Sequence, residues 1–494
     1  MPQFKILGRG ELKKMKFMKL SVKMIITLTL FLSLLTIPSL LQVKAADISG
    51  GIQNEYTYEE VVFITGKPIK FTGTSKNVKI TESESKGKLT ETYKITLTGP
   101  NGEKLSRNFT YVSEVTNYDQ IGQSTVNGEV TKYSESITVG DVTYNLSDYQ
   151  LSKGNITDKR PASDYYSGNA LARKTYTTVA KKGVPSETIV VDVDSRNVGY
   201  ENFWGATDTQ ITETHITYSN GSIGYVKNRL STTKSRVLNY EENAASLSSF
   251  YGGYAVISTA NALSEYTYDL PWYGKGTIEL NLENMPRIER LIVPKFRDLS
   301  VHWAKSEIEK LYSLGIFDDQ SNFFSPNTPM QRYDFSVAVG KAVDLRVLED
   351  DKKSKNTASI FSDVKRTAKD YNYLVSAVEK GIINGTSQKK FDPNGNLTRE
   401  QAAVILIRAL GLEPKAPDPN YKTHFKDDSK ISNYARDAIY VISDLGLMSG
   451  DQTGKFNPKQ KLTRAEAAAI LVRFLKYLED DLSQNYRDDI LFYE

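Results

Sequence analysis

Two kinds of hydrophobic spacing divide the chain near residue 293. From Asp47 to Val293, apolar and polar residues alternate with a period of two, in a texture of Thr, Ser, Tyr and Val broken by Gly and Asn. Such alternation predicts half-buried strands. Thr90–Leu97 alternates, Gly99-Pro100-Asn101-Gly102 supplies a turn, and Leu105–Val115 returns. Gln210–Tyr218 and Ile223–Leu230 flank Ser219-Asn220-Gly221-Ser222, whose Asn-Gly step tolerates the positive φ of a tight hairpin. The expectation is a mostly antiparallel β domain over residues 46–293, a sandwich or a strongly twisted sheet, with a short helix near Glu241–Phe250.

Beyond residue 293 the spacing becomes helical and repeats. Ala467, Ile470, Leu471, Phe474, Leu475 and Leu478 make one apolar stripe. Four landmarks recur at a period of about 65 residues: Phe296-Arg297-Asp298, Gly315-Ile316, Pro326 and Gln331-Arg332; Phe361-Ser362-Asp363, Gly381-Ile382, Pro393 and Thr398-Arg399; Phe425-Lys426-Asp427, Gly446-Leu447, Pro458 and Thr463-Arg464. The step from Gly to Arg is 17, 18 and 18 residues. Each copy is one supersecondary unit that buries its apolar face partly against its neighbours. A three-part helical module is expected, each part reading helix, turn, loop, helix, with Gly closing the first helix and Arg opening the second. Thr463-x-x-Glu466 and Thr398-x-x-Gln401 are capping boxes, which puts Arg464 and Arg399 in the first turn of their helices.

That placement carries the chemistry. A helix N-terminus favours negative charge, so an Arg there runs against local preference. A guanidinium fork beside unpaired backbone N–H groups suits a carboxylate or phosphate. The residues alone equally allow these arginines to form salt bridges to Asp298, Asp363 or Asp427 of a neighbouring repeat. Catalytic constellations do not emerge. With only His215, His302 and His424, a zinc hydrolase has no ligand set, and Gly-x-Ser-x-Gly is absent. Ser83-x-x-Lys86 is a chance match, and Asp192-Val193-Asp194 lacks the Gly and Glu of a calcium loop and reads as strand. No catalytic residue, metal or cofactor is indicated, although a carboxylate pair for glycoside hydrolysis needs only the right separation in space. Tyr165-Tyr166, Phe203-Trp204, Tyr251, Tyr254 and Trp272-Tyr273 read as core and cross-strand packing, with a sugar- or protein-binding platform as the alternative.

The three copies resemble S-layer homology (SLH) repeats, with their opening Phe-x-Asp, central Gly-Ile or Gly-Leu, and Thr-Arg-Ala-Glu box. Thr463-Arg464-Ala465-Glu466 matches that box completely, Thr398-Arg399-Glu400-Gln401 keeps two positions, and Gln331-Arg332-Tyr333-Asp334 keeps the Arg alone. The family's His-Trp-Ala stands at His302-Trp303-Ala304, with Lys369 and Tyr434 at the Trp-equivalent positions. The resemblance covers repeats at 294–350, 358–413 and 422–480, followed by a tail at 481–494. It implies an all-α, pseudo-threefold module whose grooves hold a secondary cell-wall polysaccharide bearing ketal-linked pyruvate. Arg399 and Arg464 would clamp that carboxylate, and Arg332 would head a weaker groove. Trp303 would stack on a sugar or pack in the core. Asp298, Asp363 and Asp427 would bond sugar hydroxyls or brace the arginines, with packing or capping as the simpler role.

The chain's ends and composition fit this reading. Residues 1–23 are rich in Lys, Met24–Leu41 is nearly all apolar, and Val43-Lys44-Ala45 resembles a cleavage site, so residues 1–45 read as a signal peptide starting at Met1, Met15 or Met18. A retained membrane anchor is the rival reading. The leader holds eight Lys/Arg and one acidic residue, so without it the net charge of +4 becomes about −3. That leaves no broad basic footprint for nucleic acid. The absence of Cys excludes disulfides and thiol chemistry. A secreted cell-wall or S-layer protein is expected, with its β domain structural or adhesive and able to contact other copies in a surface layer. The alternative is a wall-anchored polysaccharide-degrading enzyme acting through residues 46–293.

Overall fold

The computed structural model describes residues 51–118, 122–179, 185–242, 252–343, 359–413, 416–417 and 421–481. The expected leader and positions 243–250 of the expected short helix lie outside the described residues, whereas Glu241 and Glu242 end a strand. No helix among the described residues is long and apolar enough to cross a membrane.

The alternating region forms one 15-stranded antiparallel sheet, and the sandwich alternative is not what forms. Its strands are β1 (Ile52–Gln53), β2 (Thr57–Val62), β3 (Ile69–Thr74), β4 (Val78–Ser85), β5 (Lys88–Thr98), β6 (Lys104–Tyr118), β7 (Gln123–Val139), β8 (Val142–Lys159), β9 (Ser163–Val179), β10 (Thr188–Asn202), β11 (Gly205–Thr217), β12 (Ile223–Glu242), β13 (Gly252–Leu270), β14 (Gly274–Glu283) and β15 (Arg287–Arg290). From β5 to β14 every strand pairs with its sequence neighbours, while β4 adds beside β5 and β15 beside β13. With each strand returning along the last, the chain never crosses to a second sheet. Long strands twist, and register shifts at Thr110/Tyr111 and Leu146/Asp148 sharpen the coil. The sheet thus curls until its ends meet. Asn54 Nδ2 donates to Glu283 O at 3.2 Å, and the Phe63 ring lies 5.6 Å from those of Tyr266 and Tyr268.

The curled sheet encloses apolar side chains at the alternate positions, among them Ile95, Leu97, Leu105, Phe109, Ile137, Val193, Ile216 and Leu280. Arg107 occupies an inward position between Leu105 and Phe109 and is only 5% exposed. Its Nε donates to Glu135 Oε2 at 2.6 Å, and its two terminal nitrogens donate to Glu60 at 2.9 and 2.7 Å. Tyr176 donates to Glu135 and Tyr58 to Glu60, at 3.1 Å each. Burial alone would lower the Arg107 pKa, but the Glu135 and Glu60 carboxylates outweigh it and hold it well above the ordinary value. A buried charge is tolerable when paired in this way. Asp208, 6% exposed, has no such counter-ion among the described residues. Burial raises its pKa to about 7, opposed only by the Tyr166 hydroxyl at 3.2 Å. Tyr166 reaches it across Gly199, where a Cβ would sit 2.2 Å from the ring.

The helical region contains α1 (Lys305–Ser313) and α2 (Arg332–Ala342), α3 (Tyr371–Glu379) and α4 (Arg399–Leu410), and α5 (Arg436–Asp444) and α6 (Arg464–Lys476), one pair per repeat. Gly315, Gly381 and Gly446 follow the first helix of each pair with φ of 71°, 71° and 67°, the left-handed closure that glycine makes without strain. The six helices share one core, and two hairpin tips of the sheet enter it. Ala162 comes from the β8–β9 tip and Trp204, 4% exposed, from the β10–β11 tip. Trp204 Nε1 donates to Ala342 O at 3.3 Å, Asn202 Nδ2 to Leu478 O at 3.2 Å, and the Tyr254 hydroxyl to Ser306 O at 3.3 Å.

Two outcomes follow for stability. Trp204→Ala should cost about 3 to 5 kcal/mol in urea unfolding, whereas Trp303→Ala, at an exposed position, should stay within about 0.5 kcal/mol of the parent. Equal midpoints for the two variants would contradict the shared core. Because the folded Asp208 carboxyl keeps its proton up to about pH 7, and an unfolded one only to its ordinary value of 3.8, the folded state binds the extra proton between those limits. Its contribution therefore falls as pH rises through that window, by up to about 1.4 kcal/mol per pH unit. Asp208→Asn should remove this slope, read as the difference between the two proteins' unfolding free energies from pH 4 to 8.

Candidate functional site

The second helix of each repeat begins against the loop of the next repeat. At α2, the N–H groups of Arg332 and Tyr333 donate to Gly395 O and Pro393 O at 2.9 and 3.1 Å. At α4, Arg399 and Glu400 donate to Gln460 O and Pro458 O at 3.0 and 3.1 Å. At α6, Arg464 and Ala465 donate to Thr328 O and Pro326 O at 2.9 and 3.0 Å, which closes the cycle on the first repeat. The expected capping boxes are present at Thr398/Gln401 and Thr463/Glu466. The expectation of open N–H groups is thereby corrected at α4 and α6, where caps and neighbouring carbonyls take those donors; at α2, Gln331 makes no side-chain cap and the carbonyls take the first two.

The three arginines take equivalent seats. Each guanidinium lies over a Phe of the next repeat's loop: Arg332 over Phe391 at 4.9 Å, Arg399 over Phe456 at 5.0 Å and Arg464 over Phe324 at 4.5 Å. These rings were not singled out from the sequence, although each opens a repeated Phe-x-Pro: Phe324-Ser325-Pro326, Phe391-Asp392-Pro393 and Phe456-Asn457-Pro458. Nor does any of these arginines pair with Asp298, Asp363 or Asp427. Those carboxylates accept backbone N–H groups of their own repeat: Phe324 and Ser325 on Asp298, Phe391 and Asp392 on Asp363, Phe456 and Asn457 on Asp427, at 2.7 to 3.2 Å. Ser325, Asp392 and Asn457 have φ near 60°, an unfavourable backbone for a non-glycine residue, and the aspartates hold that bend in place. The aspartates thus brace the loop backbone of their own repeat, not the arginines.

What completes each seat differs. Arg399 Nε donates to Phe456 O at 2.9 Å and its terminal nitrogen to Ser449 O at 2.8 Å. Arg473, one turn from the end of α6, donates to Leu447 O at 2.7 Å and lines the same groove of about 400 Å3. Trp303, 64% exposed, forms part of its wall, with Ser449, Gly450 and Asn457. Burial holds Arg399 below its ordinary pKa and Arg473 adds to this, while Glu466, Asp451 and Asp427 oppose it. Asp451 and Glu466 line the same groove, but among the described residues the hydrogen bonds of both guanidinium groups go to carbonyls, so neither is paired with a carboxylate. Arg332 donates to Asn384 O at 2.6 Å, and its buried Nε has no hydrogen-bond acceptor among the described residues. At the Trp303-equivalent position there, Tyr434 is pinned by its hydroxyl to Glu400 at 2.9 Å. Arg464 Nε donates to Phe324 O at 2.9 Å, but its terminal nitrogen meets the Asp319 carboxylate at 3.1 Å. Beside it, Lys369 and Lys341 pair with Asp318 at 2.8 and 3.0 Å. Lys341 and Arg473, nine residues after their arginines, were also missed; a basic residue at that step in all three helices, Arg408 being the third, is the signal.

The three repeats also match known proteins in sequence. The S-layer homology domain family matches residues 295–335, 360–403 and 424–468. The chain is 31% identical over 204 residues to an amylopullulanase of Thermoanaerobacterium thermosulfurigenes, covering 41% of this chain and 10% of that protein. It is 28% identical over 174 residues to an S-layer protein of Bacillus thuringiensis subsp. finitimus, covering 35% and 20%. It is 38% identical over 97 residues to a cellulosome-anchoring protein of Acetivibrio thermocellus, covering 20% and 22%. The match thus spans at most about a fifth of these relatives' length. Residues 295–468 carry three S-layer homology domains.

Proposed function

We propose that this protein is held non-covalently at the bacterial cell surface by its SLH domains, through an anionic, pyruvylated polysaccharide of the cell wall, and displays its β-rich region there. The observation that carries the reading is the Arg399 groove, where among the described residues Arg399 and Arg473 hydrogen-bond to carbonyl oxygens alone, beside the exposed face of Trp303. A ketal-linked pyruvate would take both guanidinium groups by charge-assisted hydrogen bonds, while the sugar ring lies against the indole. The Arg332 groove offers an unsatisfied Nε as a second, weaker contact, and linked weak contacts along one polymer act together by effective concentration. The S-layer and cellulosome-anchoring relatives support a surface location. The β-rich region serves as a structural or adhesive body, able to meet other copies in a layer. A second reading, polysaccharide degradation by residues 46–293, draws on the amylopullulanase relative, of which the match covers only 10%.

Arg399→Ala in the full chain should lower affinity for purified cell walls at least about thirtyfold in co-sedimentation. Walls stripped of pyruvate by mild acid should retain the parent protein no better than the variant. A folded Arg399→Ala protein that sediments like the parent would overturn the reading. Reducing-sugar assays on wall and plant glycans should give no release above buffer; turnover by the parent would establish the enzymatic alternative.

A further inference from the structure

The first repeat differs from the other two by one residue, and the difference lies at a groove. From the central Gly to the loop Phe the step is nine residues in the first repeat, Gly315 to Phe324, and ten in the others, Gly381 to Phe391 and Gly446 to Phe456. The longer loops fold back on themselves: Thr386 N–H donates to Lys390 O and Asp451 N–H to Lys455 O, at 2.8 Å each. Immediately before those turns sit Gly385 and Gly450, where a Cβ would come within 2.6 and 2.9 Å of neighbouring atoms. Aligned from the central Gly, the first repeat has Asp319 at that position.

The exchange alters what the facing guanidinium holds. Arg332 and Arg399 each give a terminal nitrogen to the carbonyl just before that glycine, Asn384 O and Ser449 O. The corresponding Asp318 O accepts Lys369 Nζ instead, at 3.0 Å, and Arg464 turns to the Asp319 carboxylate. Tyr312 donates its hydroxyl to the same carboxylate, whose side chain remains 51% exposed. A carboxylate bonded to Arg464 at the groove surface is the arrangement assigned above to the ligand's pyruvate at Arg399.

We propose that the Arg464 groove is a carboxylate-binding site occupied from within, Asp319 standing in for the acid group of the wall polymer. The inference rests on the reading of the Arg399 groove for the identity of the displaced ligand. It accounts for why the repeat with the complete Thr-Arg-Ala-Glu box faces the groove whose cations are already neutralised. Removing the internal carboxylate frees Arg464 for an external one.

The probe is the methyl glycoside of a 4,6-pyruvate-ketal hexose, titrated into the full chain by calorimetry, with circular dichroism melting to verify folding. Arg399→Gln removes the first site. In that background, Asp319→Ala should restore binding, with affinity raised at least about tenfold, and adding Arg464→Gln should abolish it again. Asp319→Asn, which keeps the side chain's shape, should restore it in part. If the parent binds through Arg399 but Asp319→Ala adds nothing in either background, the internal-occupant inference falls and the Arg399 reading stands. If only chains carrying Asp319→Ala bind, the inference stands and the Arg399 reading falls. No binding by any folded variant overturns both.

Discussion

The helical module depends on a cycle of backbone hydrogen bonds in which each repeat's second helix is capped by the loop of the next. The first two N–H groups of α2, α4 and α6 would otherwise be orphaned, and each finds two carbonyls on a neighbouring chain segment. One repeat alone would leave both partners of this exchange unmade. The loops that supply the carbonyls are in turn bent by Asp298, Asp363 and Asp427, so the short Phe-x-Asp motif acts on the groove at one remove. The same stacking brings each Arg over the Phe of the following loop. Grooves are thus products of the assembly, built from residues of different repeats.

Much of this was legible in the chain. Period-two alternation located the strands, and the triple register of Phe-x-Asp, Gly, Pro and Arg located the repeats, because each landmark answers a local backbone demand. Thr398 and Thr463 announced their helix starts for the same reason. What alternation does not contain is the identity of the covering layer: it says that Leu105 and Phe109 face inward, not whether a second sheet or the same sheet meets them. Arg107 shares their parity and was a readable sign of a charged interior; its partners Glu60 and Glu135, 47 and 28 residues away, are brought together only by the curl.

The groove residues divide along the same line. Arg332, Arg399 and Arg464 stand out because an Arg in the first helical turn needs a reason. The carbonyls that occupy the neighbouring N–H groups belong to other repeats, so sequence-local reasoning left those donors open when they are taken. Asp319 is a finer case. The Gly-to-Arg step of 17 instead of 18 recorded the shorter loop, but only the folded chain places the acidic side chain opposite Arg464, 145 residues on. Three seats of one design thus carry three electrostatic conditions: a guanidinium with an unmet donor, one with carbonyl partners only, and one with its own counter-ion.

The insertion of Trp204 and Ala162 into the helical core bears on mechanics. A β-rich region joined only by a tether would swing freely and transmit no torque. Here the hairpin tips are wedged among the helices, so a pull on the distal part of the sheet loads the same packed interior that shapes the grooves. On the surface placement proposed above, shear on the sheet would pass into the helices through those side-chain sockets.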